Sequence, residues 1–265
     1  MFDLLLGNHV IIITGRARSV TRCSPRENRG VRTNRNRIEF DSGVVRRYPI
    51  QSWDRDALPT IAARQTAARD AGLPVPAILA VHATGAHPHL VMQRAAGTPL
   101  METDLSQAAS ERLGAELAHL ADRMRHIVDW IAEDPTWPVL WEVLARTAPE
   151  PACVAAAEEA AHAPISLVHG DLSAGNLLVN TDGDLIAVLD WDGAALGDPA
   201  MDWAALVANC PPPVVGSMRR LTPEHSELER RAKVYLDTWP VQHELWLAGE
   251  HPWLSGDRPL VEPRT

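Results

Sequence analysis

Lysine is almost missing. Lys233 is the single one in 265 residues, so any fixed cation ahead of it has to be an arginine. Cysteine is scarce as well. Cys23, Cys153 and Cys210 have neither the spacing of a disulfide framework nor that of a metal site, which makes a reduced cytoplasm the expected setting. Long hydrophobic runs are absent. The longest, Leu4 to Thr14, is interrupted by Gly7, Asn8 and His9 and is too short to span a bilayer. Asp3 rather than a basic residue precedes it, which argues against a secretory signal. There is no overall positive charge, and a formal net charge of −9 excludes nucleic acid as a general partner. Internal repeats and low-complexity tracts are missing too. What remains is a globular chain long enough for one large domain or two modest lobes around a sizeable core.

The elements are legible in part. Residues 1 to 29 take no function: Val10–Ile13 reads as a buried strand, and Arg16 to Arg29 as a polar connector. Arg37–Phe40, a turn at Asp41-Ser42-Gly43 and Val44–Tyr48 read as a hairpin. Pro59–Ala71 is an alanine-rich helix with proline in its first turn and Gly72 as its stop. Ala77–Val81 and Leu90–Met92 complete a small sheet. Gly97-Thr98-Pro99 marks a linker, after which Leu105, Ala109, Leu113, Leu117, Leu120, Met124 and Ile127 recur at helical steps, with Asp104 and Gln107 as a capping box. Further helices are expected over Val154–His162, Ala204–Asn209 and Pro223–Trp239, the last capped by Thr222. A strand is expected over Ile165–Val168.

The densest chemistry lies in His169-Gly170-Asp171-Leu172-Ser173-Ala174-Gly175-Asn176, followed by Val188-Leu189-Asp190-Trp191-Asp192. Asp171 and Asn176 stand five residues apart on what reads as a loop between two apolar strands. That is the spacing of a kinase catalytic loop, where the carboxylate accepts the acceptor hydroxyl's proton and the amide holds a metal. Asp190 follows the next apolar run, where a second metal-binding oxygen belongs. Mg²⁺ takes oxygen ligands and keeps several waters, so one amide, one carboxylate and the nucleotide phosphates suffice. Asn180–Asp184 superficially suggests a Ca²⁺ loop, but Trp191 stands where the bidentate glutamate is required, so a polar hairpin turn is the better reading.

These motifs resemble the aminoglycoside phosphotransferase family, small-molecule relatives of the protein kinases. Gly197-Asp198-Pro199-Ala200-Met201-Asp202 is similar to the family's G-D-P-x-x-D segment. Gly72–Pro76 and His89–Gln93 resemble its pre-hinge turn and hinge strand. The likeness spans roughly residues 30 to 250 and is specific between 165 and 204. It implies an α+β, protein-kinase-like, two-lobed fold: a poorly defined segment 1–29, a nucleotide-binding sheet lobe 30–93 and a mainly helical lobe 94–265. It also implies an ATP- or GTP-dependent phosphotransferase, with Asp171 as base and His169 beside it in the catalytic loop, packing beneath the metal-binding turn. Asn176 and Asp190 would hold Mg²⁺. Asp198 and Asp202 support the site, Asp198 by fixing the catalytic loop. Asp192 reaches the metal only if the strand continues through Trp191.

The likeness frays in the first lobe. With no lysine there, Arg46, then Arg47, is the expected phosphate anchor, and an arginine fork grips phosphate differently from an ammonium. No glutamate lies between Asp41 and Met101, so the helix residue that pairs with that anchor is missing, and Asp56 is the nearest substitute. The phosphate-covering stretch Gly30–Arg35 offers one glycine, Gly30. Gln93 closes the expected hinge strand. The basic stretch from Arg16 to Arg47 over an acidic remainder suits nucleotide phosphates above and a cationic acceptor below. Trp203, Trp239, Trp246 and Trp253, with Glu224, Glu227, Glu229, Asp237 and Glu244, are the expected aromatic and acidic lining for an aminoglycoside, a choline-like amine or another natural-product alcohol. An aminoglycoside acceptor would make antibiotic resistance the biological role. Two other readings compete: a catalytically degenerate nucleotide-binding module, and a metal-dependent hydrolase using His162, His169, Asp171 and Asp190.

Overall fold

A computed structural model describes residues 31–32, 36–50, 55–131 and 162–247. The chain divides into two compact units between Ala96 and Gly97. Residues 1–29, including the strand expected over Val10–Ile13, and most of the helix expected over Val154–His162 lie outside the described residues.

In the first unit, β1 (Val31–Arg32), β2 (Asn36–Asp41), β3 (Val44–Pro49), β4 (Ile78–His82) and β5 (His89–Gln93) form an antiparallel sheet in the order β1-β2-β3-β5-β4. The β2–β3 hairpin closes on Ser42 and Gly43. Gly43 adopts φ +81°, which the two-residue turn needs, and the Asp41 carboxylate accepts the Ser42 N–H at 2.7 Å. Helix α1 (Leu58–Asp70) begins with a proline and ends one residue before the Ala71–Gly72 turn. It seats Leu58, Ile61 and Ala62 on Leu90, with Ile78 and Met92 at the margin. Side chains alternate along a strand, so this contact defines the helix-facing side of the sheet. Arg47 lies directly across from Leu90 and shares that side, whereas Arg46 lies across from Val91 and shares the other.

In the second unit, β6 (Thr98–Pro99), β8 (Leu177–Val179) and β9 (Leu185–Val188) make one small sheet, and β7 (Ser166–Val168) pairs with β10 (Ala195–Gly197) in another. Around them run α2 (Gln107–Arg125), α3 (Ala200–Asn209), α4 (Pro212–Leu221) and α5 (His225–Leu247). Leu113, Leu117, Leu167, Leu177, Val188 and Trp191 are fully or almost fully buried and form the core. The expected Asp104 capping box does not form. Ser106 caps α2 instead, its hydroxyl accepting the Ala109 N–H at 3.2 Å, so the helix starts two residues later than the box requires. Helix α4 is missing from the sequence reading because Pro211-Pro212-Pro213 looks like a breaker, yet proline is harmless in a first helical turn. Its fit against α2 depends on Gly114: a Cβ there would lie 2.4 Å from the Val214 carbonyl oxygen. Thr222 closes α4 rather than opening α5, which begins at His225. Between β8 and β9, Asn180 Oδ1 accepts the N–H groups of Asp182 and Asp184, making the expected polar turn.

Candidate active site

The site is built where β7 runs out. His169 is fully buried, and its N–H donates to Asp202 Oδ2 at 2.7 Å, while the Gly170 N–H donates to Asp202 Oδ1 at 3.0 Å. Gly170 holds φ +86°, and a Cβ on it would approach the Gly193 carbonyl to 3.0 Å, so the turn admits no side chain. The His169 ring is used on both sides. Nδ1 accepts the Asp171 N–H at 3.2 Å, which leaves the proton on Nε2 to donate to the Leu189 carbonyl at 2.8 Å. Burial pushes its pKa down to about 4, so the ring is neutral. It meets Trp191 edge-on at 4.7 Å. His169 therefore ties the loop after β7 to the exit of β9, and its ring nitrogens are committed to main-chain groups.

Asp171 leads into a turn that returns to it. Asn176 Nδ2 donates to the Asp171 carbonyl at 2.8 Å and to its carboxylate Oδ2 at 3.1 Å. The Asn176 carbonyl in turn accepts the Leu189 N–H at 2.8 Å, extending the β8–β9 pairing by one step. That step delivers Asp190 beside the loop, close enough to His169 for its charge to be felt by the ring. Asp190 adopts φ 61° and ψ 60°, the sole non-glycine at positive φ among the described residues. Such backbone is uncommon and persists where surrounding structure over-determines it, often at functional sites. The extended geometry does not continue through Trp191, because residues Trp191–Gly193 form a 3-10 turn. Asp192 is buried and does not follow Asp190 as an alternate strand position would.

The two aspartates of the downstream segment divide the work differently from expectation. Asp202, on the first turn of α3, holds the catalytic loop. Asp198 does not: its carboxylate accepts the Ala200 N–H at 2.9 Å at the start of α3 and receives Arg231 Nε from α5 at 3.0 Å. Arg231 and Asp198 are both buried, and Arg231 also donates to Glu227 at 2.6 Å. The reason is position. Asp202 points back from a helix turn toward β7, whereas Asp198 precedes the helix and is occupied by capping it. Arg231 is absent from the sequence reading, since only the packing of α3 on α5 brings it to Asp198.

Elsewhere the expected residues scatter. In the first unit Arg47 is buried on the side covered by α1, while Arg46 forms an ion pair with Asp41 at 3.2 Å on the opposite side. Asp56 is exposed ahead of α1. Gln93 closes β5, exposed, its N–H donating to the Ala77 carbonyl at 2.8 Å. Gly30 lies outside the described residues. In the second unit Trp203 is core rather than lining. Glu224, Glu227, Glu229 and Asp237 are ion-paired with Arg125, Arg231, Arg219 and Lys233. The side chains of Trp239, Trp246, Trp253 and Glu244 lie outside the described residues. His162 is exposed, and among the described residues no three histidine, cysteine or carboxylate side chains are grouped as a metal centre.

A model of the phosphotransferase enzyme family matches residues 24–240. The chain belongs to that family. Among solved structures it is similar to the complex of APH(2")-IIia with GDP and kanamycin, at 16% identity and a TM-score of 0.66, covering 84% of this chain and 87% of that one. It is also similar to the macrolide 2'-phosphotransferase MphH from Brachybacterium faecium, at 21% identity and a TM-score of 0.58, covering 85% and 87%. A type VIII aminoglycoside-3'-phosphotransferase matches at 17% identity and a TM-score of 0.56, covering 79% and 90%. No curated protein sequence matches significantly. The fold is the kinase-like α+β fold of these enzymes, and no described helix is long and apolar enough to cross a membrane.

Proposed function

We propose that this phosphotransferase moves the γ-phosphate of ATP or GTP to a hydroxyl of a small molecule, with Asp171 as the base. The observation that supports the reading is the hydrogen-bonded circuit that ties the Asn176 amide to the Asp171 carboxylate and the Asn176 carbonyl to the Leu189 N–H, one residue before Asp190. Asn176 holds the Asp171 carboxylate, and we assign that carboxylate to the acceptor hydroxyl. Phosphoryl transfer has a loose transition state, so placement of that carboxylate matters more than an unusual pKa.

With Nδ2 of Asn176 committed to Asp171, its amide oxygen and the Asp190 carboxylate are the residues that would hold Mg²⁺. Both are hard oxygen donors, and the left-handed backbone at Asp190 turns its side chain off the strand line. Magnesium supplies neutralisation of charge building on the phosphate oxygens. In the first unit the phosphate anchor is Arg47 rather than Arg46. An anchor that answers to the helix of this unit must share the helix-facing side of the sheet, and Arg47 does. The acceptor is best met as a polycationic amine alcohol. Residues 97–265 hold 27 aspartates and glutamates against 11 arginines and lysines, a surplus that draws cations toward the unit. The hydrolase reading fails on His169, whose ring nitrogens face main-chain partners.

The test is a panel of aminoglycosides, macrolides and simple amino alcohols incubated with labelled ATP or GTP and Mg²⁺, scored for a phosphorylated product. A product that forms with wild-type protein and is lost in Asp171→Asn supports the reading. A folded, nucleotide-binding protein that phosphorylates nothing in the panel points instead to the degenerate module.

A further inference from the structure

The side of the first unit's sheet away from α1 carries a row of flat groups. Arg37, Tyr48, His89 and His82 stand directly opposite one another across β2, β3, β5 and β4. The Arg37 guanidinium lies 4.2 Å from the Tyr48 ring centre, Tyr48 stacks on His89 at 4.7 Å, and His89 stacks on His82 at 4.4 Å. Two members are held further: Arg37, at one end, is ion-paired with Glu39 at 2.8 Å, and His89 Nδ1 is 2.8 Å from the His87 carbonyl.

Beside this row opens a cavity of about 290 Å³, lined by Arg37, Tyr48, Ile50, Arg55, His87 and Pro88 among others. Its volume lies just below the roughly 300–1,000 Å³ range of small-molecule sites, which suits a compact metabolite. Two guanidiniums reach it, and among the described residues no carboxylate lines it. Arg55 Nη2 leans back to the Ile50 carbonyl at 3.4 Å, which keeps the guanidinium over the end of β3. Glu39 is ion-paired with Arg37 and offsets part of its charge. Burial, helped by the Glu39 charge and a hydrogen bond to Glu39, pushes the Tyr48 hydroxyl above its ordinary range, so it stays neutral. The remaining walls, Pro49, Ile50, Ala86 and Pro88, are apolar.

From this cavity, its two arginines and its apolar walls, we infer a binding site for a small organic monocarboxylate with a flat or branched apolar body. The carboxylate lies between Arg37 and Arg55, where a guanidinium offers parallel donors, and the body rests against Tyr48 and Ile50. The site is on the opposite side of the sheet from Arg47 and is therefore separate from the proposed nucleotide anchor. The Glu39 carboxylate beside Arg37 favours a monoanion over a dianion.

The experiment uses the full chain with Mg²⁺ and ATP present, so that the nucleotide site is filled. The sequence has two tyrosines, Tyr48 and Tyr235, so selective ring labelling gives two sets of resonances, which Tyr48→Phe assigns. Benzoate should shift the Tyr48 signals saturably and leave Tyr235 unmoved, with benzamide and phenyl phosphate at least fivefold weaker. Arg37→Gln and Arg55→Gln, checked for an unchanged melting temperature, should each weaken benzoate fivefold or more. Glu39→Gln should tighten it. The inference is overturned if benzamide binds as well as benzoate, if Tyr235 moves in step with Tyr48, or if neither arginine substitution alters the titration. Because the readout is binding at Tyr48, it stands or falls independently of whether phosphate transfer is detected.

Discussion

The two units differ in charge and in how their functional groups are held. Residues 1–96 carry 14 arginines against 7 carboxylates, and residues 97–265 carry 11 cationic side chains against 27 acidic ones. In the second unit the groups of the site are locked by main-chain bonds: Asp202 by two loop N–H groups, His169 by a carbonyl and an N–H, Asn176 by the Asp171 carbonyl. In the first unit the candidate anchors are two adjacent arginines, distinguished only by the side of the sheet they occupy. A site fixed by backbone is written in spacing along the chain. A site fixed by strand facing is written in register, and a shift of one residue exchanges Arg46 for Arg47.

The contrast is broken hardest at Asp171. Asp171→Asn keeps an acceptor for the Asn176 amide, so folding should survive, while turnover should fall about 10²- to 10⁴-fold. Steady-state kinetics beside nucleotide calorimetry would show it, and wild-type rates would remove Asp171 from the chemistry. Next comes Asp202→Ala. It strips two charge-assisted bonds from a buried loop, each worth about 1.5–3 kcal/mol, so a loss of about 3 kcal/mol or more is expected in urea unfolding. A change under about 1 kcal/mol would mean that the loop holds itself.

The first unit sharpens the comparison with a smaller effect. Arg47→Ala should weaken ATP about tenfold or more, as removal of a charged phosphate contact does, whereas Arg46→Ala should change it less than about threefold. The reverse order in a nucleotide titration would return the anchor to Arg46. The smallest effect concerns acid stability. Burial pushes the Asp202 carboxyl up to about 6, so its contribution favours folding at low pH and is lost as pH rises through about 6. His169, held down to about 4, contributes in the opposite sense: its share is full above the ordinary histidine range and is lost as pH falls toward about 4. Between those limits the slopes, each about 1.4 kcal/mol per pH unit, oppose one another. Asp202→Asn leaves the histidine slope alone, so urea midpoints of that variant should fall more steeply from pH 6.5 to 4.5 than those of wild type. Parallel profiles would count against the cancellation.

Much of this was legible from residue order. The β2–β3 hairpin followed from Ser42-Gly43 between alternating runs, and α2 from its three- and four-residue apolar stripe, because both signals are local. The loop from His169 to Asn176 was legible because its chemistry lies within eight consecutive residues. What escaped was long-range. Asp198 and Asp202 look interchangeable in a motif, and only the turn of α3 shows which one meets the β7 exit. Arg231 reaches Asp198 across 33 residues, through a helix contact that no spacing announces. Glu227, Glu229 and Asp237 on α5 read as a lure for amines, yet each is ion-paired, with Arg231, Arg219 and Lys233 respectively.

The backbone at Asp190 has a consequence for how this protein can change over generations. At φ 61° and ψ 60° a glycine would rest without the penalty an aspartate carries there, about 1 kcal/mol or more. The replacement that relaxes the chain is thus the one that deletes the carboxylate. Drift under selection for abundance or heat tolerance alone would slide toward a sturdier protein at this position, and the metal-holding role proposed for Asp190 is what would keep the acid in place.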